Sequence, residues 1–211
     1  MRDGYGELRD DYDTPGLGPA DLDDDPVAQA AAWLDEAVAA GVPQPNAASL
    51  ATADSAARPS VRTVLVKRID AGFVFYTNYR SRKGRDLAEN PYAALSLTWV
   101  TMHRSVRIEG TIETTTAEDS DAYYASRPRG ARLAALVSAQ SDELADRATL
   151  ERAYRRAAAE FPGDTPRPEH WGGYRLVPRR IEFWQGRRDR LHDRIEYRLI
   201  ESGWATRRLA P

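Results

Sequence analysis

Apolar residues recur at helical spacing in only a few stretches of this 211-residue chain, and most fall in short runs of the kind strands use. After Asp25-Pro26, the residues Val27, Ala30, Trp33, Leu34, Ala37 and Val38 form one helical stripe. Asp25 is its N-cap, Pro26 its first helical position and Gly41 its C-cap. Strand signals follow at 47–53, 61–69 and 73–77, separated by turns at 55–59 and 70–72, which predicts a β-meander. Ser81 caps a short helix to Glu89, which Asn90-Pro91 stops. Strands at 94–100 and 104–113 are joined by a tight turn near Met102. The spacing then predicts helices over 116–125 and 131–139, parted by Arg127-Pro128-Arg129-Gly130. A longer helix runs from Ser141 or Asp142 to Glu160, with Leu144, Leu150 and Tyr154 on its inner side. A Pro-rich loop at 162–168 and Trp171-Gly172-Gly173 lead into strands at 174–177, 181–185, 191–200 and 204–209. Many short strands with a few helices between them predict a mainly β fold, a closed or partly closed barrel with flanking helices.

The first 25 residues are rich in Asp, Gly and Pro, show no periodicity, and read as a mobile N-terminal arm ahead of a single domain at 26–211. Hydrophobic residues at 42% and charged residues at 29% describe an ordinary globular chain with one substantial core. A formal net charge of -2 argues against a general nucleic-acid binder, because phosphate neutralisation needs a basic excess. The acidic start lacks the apolar region of a signal peptide, and no apolar run approaches the ~20 residues of a membrane helix. There are no cysteines, which excludes disulfides and thiolate chemistry and fits a cytoplasmic location. The three histidines, His103, His170 and His192, have no ligand-like spacing, so no metal site is expected. Hydrolase, P-loop and dinucleotide motifs are missing.

Basic residues carry the candidate chemistry. If the segment after Gly186 is extended, Arg190, His192 and Arg194 share one face, since strand residues alternate sides. Such a row suits a planar anion, and it equally suits a charged edge strand that discourages pairing. The strand Arg62-Thr63-Val64-Leu65-Val66-Lys67 offers a cation near each end, as a solvated edge also would. An odd separation sends Arg62 and Lys67 to opposite faces of a regular strand, so a shared site requires a bulge or a bend. Phe75-Tyr76-Thr77-Asn78 runs into Ser81-Arg82-Lys83, a strand end meeting a helix start, where free N–H groups favour anions. Arg82 and Lys83 there make a phosphate cradle or an ordinary exposed first turn.

RTVLVK (62–67), FVFYTN (73–78), SRKGRDLAENP (81–91), YYASRPRG (123–130), SAQS (138–141), WGGYR (171–175), IEFWQG (181–186), RLHDR (190–194) and RRLAP (207–211) occur in one order. Together with LRDDY (8–12), this collinear set resembles the pyridoxamine (pyridoxine) 5′-phosphate oxidase family over nearly the whole chain. The resemblance implies an FMN-binding split β-barrel and a homodimer with FMN at the subunit interface. It implies cofactor contacts from Arg62, Thr63, Val64, Leu65, Val66, Lys67, Tyr76, Thr77, Arg82, Lys83, Gln140, Ser141, Trp184 and Arg194. Lys67, Tyr123 and Arg127 would hold the substrate phosphate. Arg190, Leu191 and His192 would lie against the pyridine ring, Arg190 and His192 as catalytic residues. Arg9 and Tyr12 match a segment that covers the substrate. The implied reaction oxidises pyridoxine or pyridoxamine 5′-phosphate to pyridoxal 5′-phosphate, with O2 as acceptor and H2O2 as by-product. The flavin carries the hard step and the protein positions the donor carbon.

Three departures stand out. Ser105 replaces the family's usual flavin-contacting Gln, Ala131 replaces a Ser of the phosphate cluster, and Asp10-Asp11 make the arm more acidic. One lost hydrogen bond to a charged phosphate is worth ~1.5–3 kcal/mol, or roughly one to two decades of affinity. A paralogous FMN oxidase of secondary metabolism, of the dihydrophenazine-oxidase kind, is the competing reading. Others are a non-catalytic flavin or pyridoxal-phosphate binding protein and an Arg-rich nucleic-acid module, the last disfavoured by the acidic arm.

Overall fold

Local capping starts the first helix where the pattern places it. In α1 (Pro26–Ala39) the Asp25 carboxylate accepts from Val27 N at 2.9 Å, and Pro26, Gln29, Ala30, Trp33 and Ala37 form the buried face. Gly41, with φ of 70°, takes the left-handed conformation just beyond the C-cap. A computed structural model describes residues 11–211. Arg9 lies outside the described residues.

The remaining order is β1 (Ala47–Ala53), β2 (Pro59–Leu65), β3 (Arg68–Ile69), β4 (Phe73–Asn78), α2 (Arg82–Glu89), β5 (Tyr92–Trp99) and β6 (Arg104–Thr114). Then come α3 (Ala117–Ser126), α4 (Arg129–Val137), α5 (Arg147–Glu160), β7 (Trp171–Gln185), β8 (Asp193–Ile200) and β9 (Gly203–Arg208). The strands join in the order β2-β1-β5-β6-β7-β4-β3, with β8 on β7 and β9 on β8. The mainly β class with flanking helices is therefore as expected.

The chain divides into two compact units, and β1, β5, β6 and β7 contribute residues to both. The first comprises Leu95–Glu109, Pro178–Pro211 and the described part of Met1–Ala48. Within it Trp33 packs edge-on against Phe183 at 5.1 Å between ring centres, and Phe183 against Tyr197 at 5.7 Å. Two buried carboxylates are neutralised there. Glu182 receives Arg194 and Arg107, and Glu196 receives Arg180 and Arg207. Residues 11–25 carry one short 3-10 turn (Pro19–Asp21); Leu17 is buried, and its N–H donates to Asp193 Oδ2 at 3.0 Å.

The second unit, Ser49–Ala94 and Gly110–Val177, buries Leu50, Phe73, Val74, Phe75, Leu133 and Leu176. Here β4 pairs antiparallel with the first part of β7, Tyr76 opposite Gly173 and Thr77 opposite Gly172. Helix α2 starts on Ser81, whose hydroxyl accepts from Gly84 N. A Cβ on Gly84 would stand 2.0 Å from the Tyr79 carbonyl oxygen, so only glycine lets this first turn sit so close to the strand end.

Four expectations need correction. The run 61–69 is two strands, because β2 pairs with β1 whereas β3 pairs with β4; Val66 and Lys67 lie in the break. The break removes the parity conflict between Arg62 and Lys67. The run 174–185 is one strand, and Pro178 falls where an edge of β7 changes partner from β4 to β8. Helix α5 starts at Arg147, capped by Asp146, not at Ser141, whose φ of 78° is incompatible with a helical start; Leu144 is left exposed. Residues 188–190 form a 3-10 turn, so β8 begins only at Asp193.

Candidate active site

In the second unit the sequence candidates gather around one cavity of about 310 Å³, lined by Thr63, Val64, Leu65, Lys67, Tyr76, Thr77, Lys83, Tyr123, Arg127, Gln140 and Trp171. The end of β2 and the break after it supply Thr63 to Lys67, β4 supplies Tyr76 and Thr77, and α3 with its C-cap supplies Tyr123 and Arg127. Tyr76 and Tyr123 stack at 3.9 Å between ring centres, 16° from parallel. Val66 is buried beneath, Ser141 and Arg82 are exposed at the surface, and none of these three is among the lining residues.

Lys83 defines the electrostatics. It is buried, and its ammonium donates to Gln140 Oε1 at 2.8 Å, Thr77 Oγ1 at 3.0 Å and Ser81 Oγ at 3.2 Å, all neutral acceptors. Burial first, and the Arg62 charge second, pull it down from 10.5 to about 8. Arg62 is tethered differently. Its Nη1 donates to Thr52 Oγ1 at 2.7 Å and Leu50 O at 3.2 Å, Nη2 also reaches Ser60, and Asp86 Oδ2 lies 3.5 Å away. Asp86 is itself buried. Burial alone would raise its carboxyl, but hydrogen bonds from Thr52 and Ser60 and the Arg62 charge outweigh that and hold it low. Thr52 and Ser60 lie outside the motifs, and Asp86 falls within SRKGRDLAENP (81–91) without a role read from sequence; their shared proximity to Arg62 marks all three.

Arg127 has a different support. Its guanidinium carbon sits 4.6 Å from the centre of the Trp171 ring, and its Nη1 is buried without a hydrogen-bond partner. Among the described residues, neither Lys67, Lys83 nor Arg127 has a carboxylate partner, so three cations around one cavity are left for an anion. Trp171, quoted in WGGYR but given no role from sequence, lines this cavity and a second of about 260 Å³ with Arg127, Ala131 and Gln140. Ala131 lines only the latter and brings no hydroxyl.

The other candidates form a separate group in the first unit. Trp184 and His192 lie 4.8 Å apart between ring centres, and Tyr12 stands beside both, edge-on to Trp184 at 6.2 Å and tilted against His192 at 5.8 Å. His192 Nδ1 accepts from Arg187 N at 3.0 Å, so the neutral ring carries its hydrogen on Nε2. Burial, then the Arg190 charge, lowers the His192 imidazole below its usual range. The period-2 row does not form. Asp189 and Arg190 have φ of 55° and 60°, and Arg190 and Leu191 stand exposed on a turn. Arg194 is committed to Glu182 through two hydrogen bonds of 2.8 and 3.1 Å. Ser105 is half-buried on β6. No cluster of metal-ligating residues occurs among the described residues, and no helix there is long and apolar enough to cross a membrane.

Known proteins share both units. Residues 34–160 match the family model described as pyridoxamine 5′-phosphate oxidase, and residues 171–211 match the pyridoxine 5′-phosphate oxidase C-terminal dimerisation region. The pyridoxine/pyridoxamine 5′-phosphate oxidase of Herminiimonas arsenicoxydans is 52% identical over 97% of this chain and 98% of its own. That of Burkholderia thailandensis is 53% identical with the same coverage of 97% and 98%. Among solved structures, PhzG from Burkholderia lata, in complex with tetrahydrophenazine-1-carboxylic acid, superposes with a TM-score of 0.88 at 35% identity, over 93% of this chain and 98% of that one. An FMN-binding, pyridoxamine 5′-phosphate oxidase-related protein of Nostoc punctiforme shares the fold at a TM-score of 0.71 and 17% identity, over 89% and 98% of the two chains. The architecture is thus the split β-barrel that the motifs implied, and the chain belongs to the pyridoxamine 5′-phosphate oxidase family.

Proposed function

We propose that this protein is a cytoplasmic FMN-dependent oxidase that converts pyridoxine or pyridoxamine 5′-phosphate to pyridoxal 5′-phosphate. One observation carries the reading: Lys67, Lys83 and Arg127 surround a single cavity without any carboxylate partner among the described residues. Cations left unpaired in this way, Lys83 and the Arg127 Nη1 buried and Lys67 exposed at the rim, suit phosphate, and two phosphates are needed, one on the cofactor and one on the substrate. FMN fits the residues present. Lys83, held by neutral acceptors, and Arg62, set on its Thr52–Ser60–Asp86 support, would hold it with Arg82, Gln140, Ser141, Tyr76 and Thr77. Bound FMN supplies the two-electron acceptor for the substrate's C4′ carbon and returns the electrons to oxygen.

The chain's own residues do the rest. Lys67, Tyr123 and Arg127 bind the substrate phosphate and so fix where C4′ stands, which is the entropic part of the rate. In the homodimer, to which the dimerisation region points, Trp184 and Arg194 serve the flavin and Arg190, Leu191 and His192 serve the pyridine ring. His192, neutral at pH 7, offers an Nε2–H donor, and Arg190 offers a fixed cation to developing charge. Tyr12, beside His192, covers the ring. The alcohol substrate and O2 give the aldehyde and H2O2; the amine additionally consumes water and releases ammonia.

The test is direct. Purified with FMN, the protein is yellow, and pyridoxine 5′-phosphate in air yields pyridoxal 5′-phosphate and peroxide; flavin-loaded protein that forms neither overturns the proposal. Arg190→Ala lowers the rate of flavin reduction by substrate more than it lowers FMN affinity; loss of flavin with normal reduction in the residual holoenzyme would refute the role of Arg190. The similarity to PhzG and the missing hydroxyl at Ala131 support a second reading, an oxidase of a reduced tricyclic substrate. Faster turnover of a dihydrophenazine carboxylate than of pyridoxine 5′-phosphate would establish it in place of the first.

A further inference from the structure

The Arg127 guanidinium is unusual in what orients it. An arginine beside a cavity is commonly aimed by a carboxylate, which also cancels much of its charge. Arg127 instead faces the Trp171 indole at 4.6 Å and the Tyr124 ring at 5.9 Å, and among the described residues its side chain has no hydrogen-bond or ion-pair partner. An aromatic face attracts a cation without occupying its N–H donors. The donor fork therefore stays whole for a phosphate.

The indole can act as a support because it is itself fixed. Trp171 is buried at the start of β7, opposite Asn78 of β4. Its backbone N–H donates to Pro168 O at 3.0 Å, and its backbone carbonyl accepts from Arg167 Nη1 at 2.8 Å. Arg167 is tied in turn to Asp121 of α3 at 2.6 Å. The Tyr124 ring meets the indole edge-on at 5.1 Å, and its hydroxyl is spent on Arg132 O at 2.9 Å. Tyr76 lies parallel to the indole at 5.7 Å, 11° off plane, and Tyr123 stacks on Tyr76. One ring system thus holds both Arg127 and Tyr123, the two α3 groups that face the cavity. Gly173, opposite Tyr76, makes this closeness possible: a Cβ there would come within 2.8 Å of the Tyr76 ring.

We propose that Trp171 is a positioning residue for phosphate recognition, acting through Arg127, and that it sets the preference for phosphorylated over unphosphorylated substrate. The inference rests on the reading of Lys67, Tyr123 and Arg127 as the substrate-phosphate site. In its absence Arg127 would still be charged but would lose the surface that aims it, and phosphate affinity would fall while the flavin site, built on Lys83 and Arg62, would not.

The experiment compares FMN-loaded wild type, Trp171→Phe, Trp171→Leu, Arg127→Ala and the Arg127→Ala/Trp171→Leu double variant. Two quantities are read: KM and kcat for pyridoxine 5′-phosphate, and the ratio of affinities for pyridoxal 5′-phosphate and pyridoxal by titration. Trp171→Leu raises KM and lowers the affinity ratio about tenfold, the order of a partly desolvated cation–π contact, with kcat and FMN retention little changed. Trp171→Phe, which keeps a ring face, recovers most of the ratio. In the Arg127→Ala background the Leu change adds nothing to the ratio, whereas a general packing defect would add its full effect. An unchanged ratio in Trp171→Leu, or equal losses with and without Arg127, overturns the proposal while leaving the oxidase reading intact. A wild type that does not turn over pyridoxine 5′-phosphate but loses phosphate preference on Trp171→Leu overturns the oxidase reading and supports this one. A wild type without any preference for the phosphorylated ligand overturns both.

Discussion

Replacing Lys83 with Met separates what the buried ammonium does for ligand binding from what it costs the fold. The Lys83 charge is held down from 10.5 to about 8, by burial and by Arg62. Its folded-state value lies below its unfolded one, so between about pH 8 and 10.5 the unfolded chain binds more protons, and stability contributed by this group rises with pH across that window. Below pH 8 the ligand-free fold carries the full penalty of a charged, partly desolvated lysine. The displacement is worth at most about 3 kcal/mol; solvent reaching the cavity screens it to about 1–2 kcal/mol. Met keeps the stem length and removes the charge. The acceptors it abandons are not stranded: Thr77 Oγ1 still donates to Gln140 Oε1 at 3.1 Å, and Ser81 Oγ still donates to Asn78 O at 2.7 Å.

Lys83→Met therefore stabilises the ligand-free protein at pH 7 by about 1–2 kcal/mol, raising Tm by about 3–6 °C for a chain of this size. The gain shrinks by more than half by about pH 9.5, where the native wild-type lysine is already mostly neutral. FMN binding moves the opposite way. Loss of one hydrogen-bonded charge partner weakens it about 10- to 100-fold, so the ranking of Tm values reverses when saturating FMN is added to the wild type. Thermal melts of both proteins at the two pH values, with and without FMN, give the four differences between variant and wild type. A variant less stable than wild type at pH 7 without ligand, or a difference that does not change with pH, would refute the account of Lys83 as a destabilising cation kept for an anion.

Further expectations concern the supports. Asp86→Asn keeps the shape but removes the charge opposite Arg62; FMN affinity measured by flavin fluorescence falls, while Asp86→Glu, which restores the charge at a different reach, recovers part of it. Gly84→Ala drives a Cβ to 2.0 Å from the Tyr79 carbonyl and, with neither backbone free to yield, costs about 2–3 kcal/mol in chemical denaturation. Glu196 is fully buried between Arg180 and Arg207; burial raises its carboxyl, but the two arginines outweigh that and hold it below its usual 4.5. Its stabilisation is therefore complete above about pH 4.5 and is lost as pH falls through the lower folded value. Glu196→Gln costs about 2 kcal/mol at pH 7, less than a fully enclosed pair because both arginines are partly exposed, and flattens the acid side of a stability–pH curve.

Legibility in the sequence followed the range of the interaction responsible. The Asp25-Pro26 start of α1 and the Ser81 start of α2 are decided within four residues, and both were readable from residue type alone. The single strand expected over 61–69 was not, because nothing in Arg62–Ile69 announces that β2 and β3 take different partners. The row at 190–194 failed for a related reason: Asp189 and Arg190 adopt positive φ, which neither residue type requires, and every alternation argument ends there. Motif order supplied the lining residues of the cavity but could not rank them.

Ranking depends on pairing, which is a property of the folded chain. With 30 lysines and arginines, a basic residue is by itself weak evidence of a binding site. Arg175, Arg180, Arg194 and Arg207 each meet a carboxylate and have stabilising work to do. Lys67, Lys83 and Arg127 meet none among the described residues, and Lys83 and the Arg127 Nη1 are buried nonetheless. A desolvated cation without a counter-charge raises the free energy of the fold, so its retention requires a partner that comes and goes. That inference reaches Trp171 as well. An indole is the support that leaves the charge of Arg127 uncancelled, and its role emerges only when the guanidinium is seen resting on it.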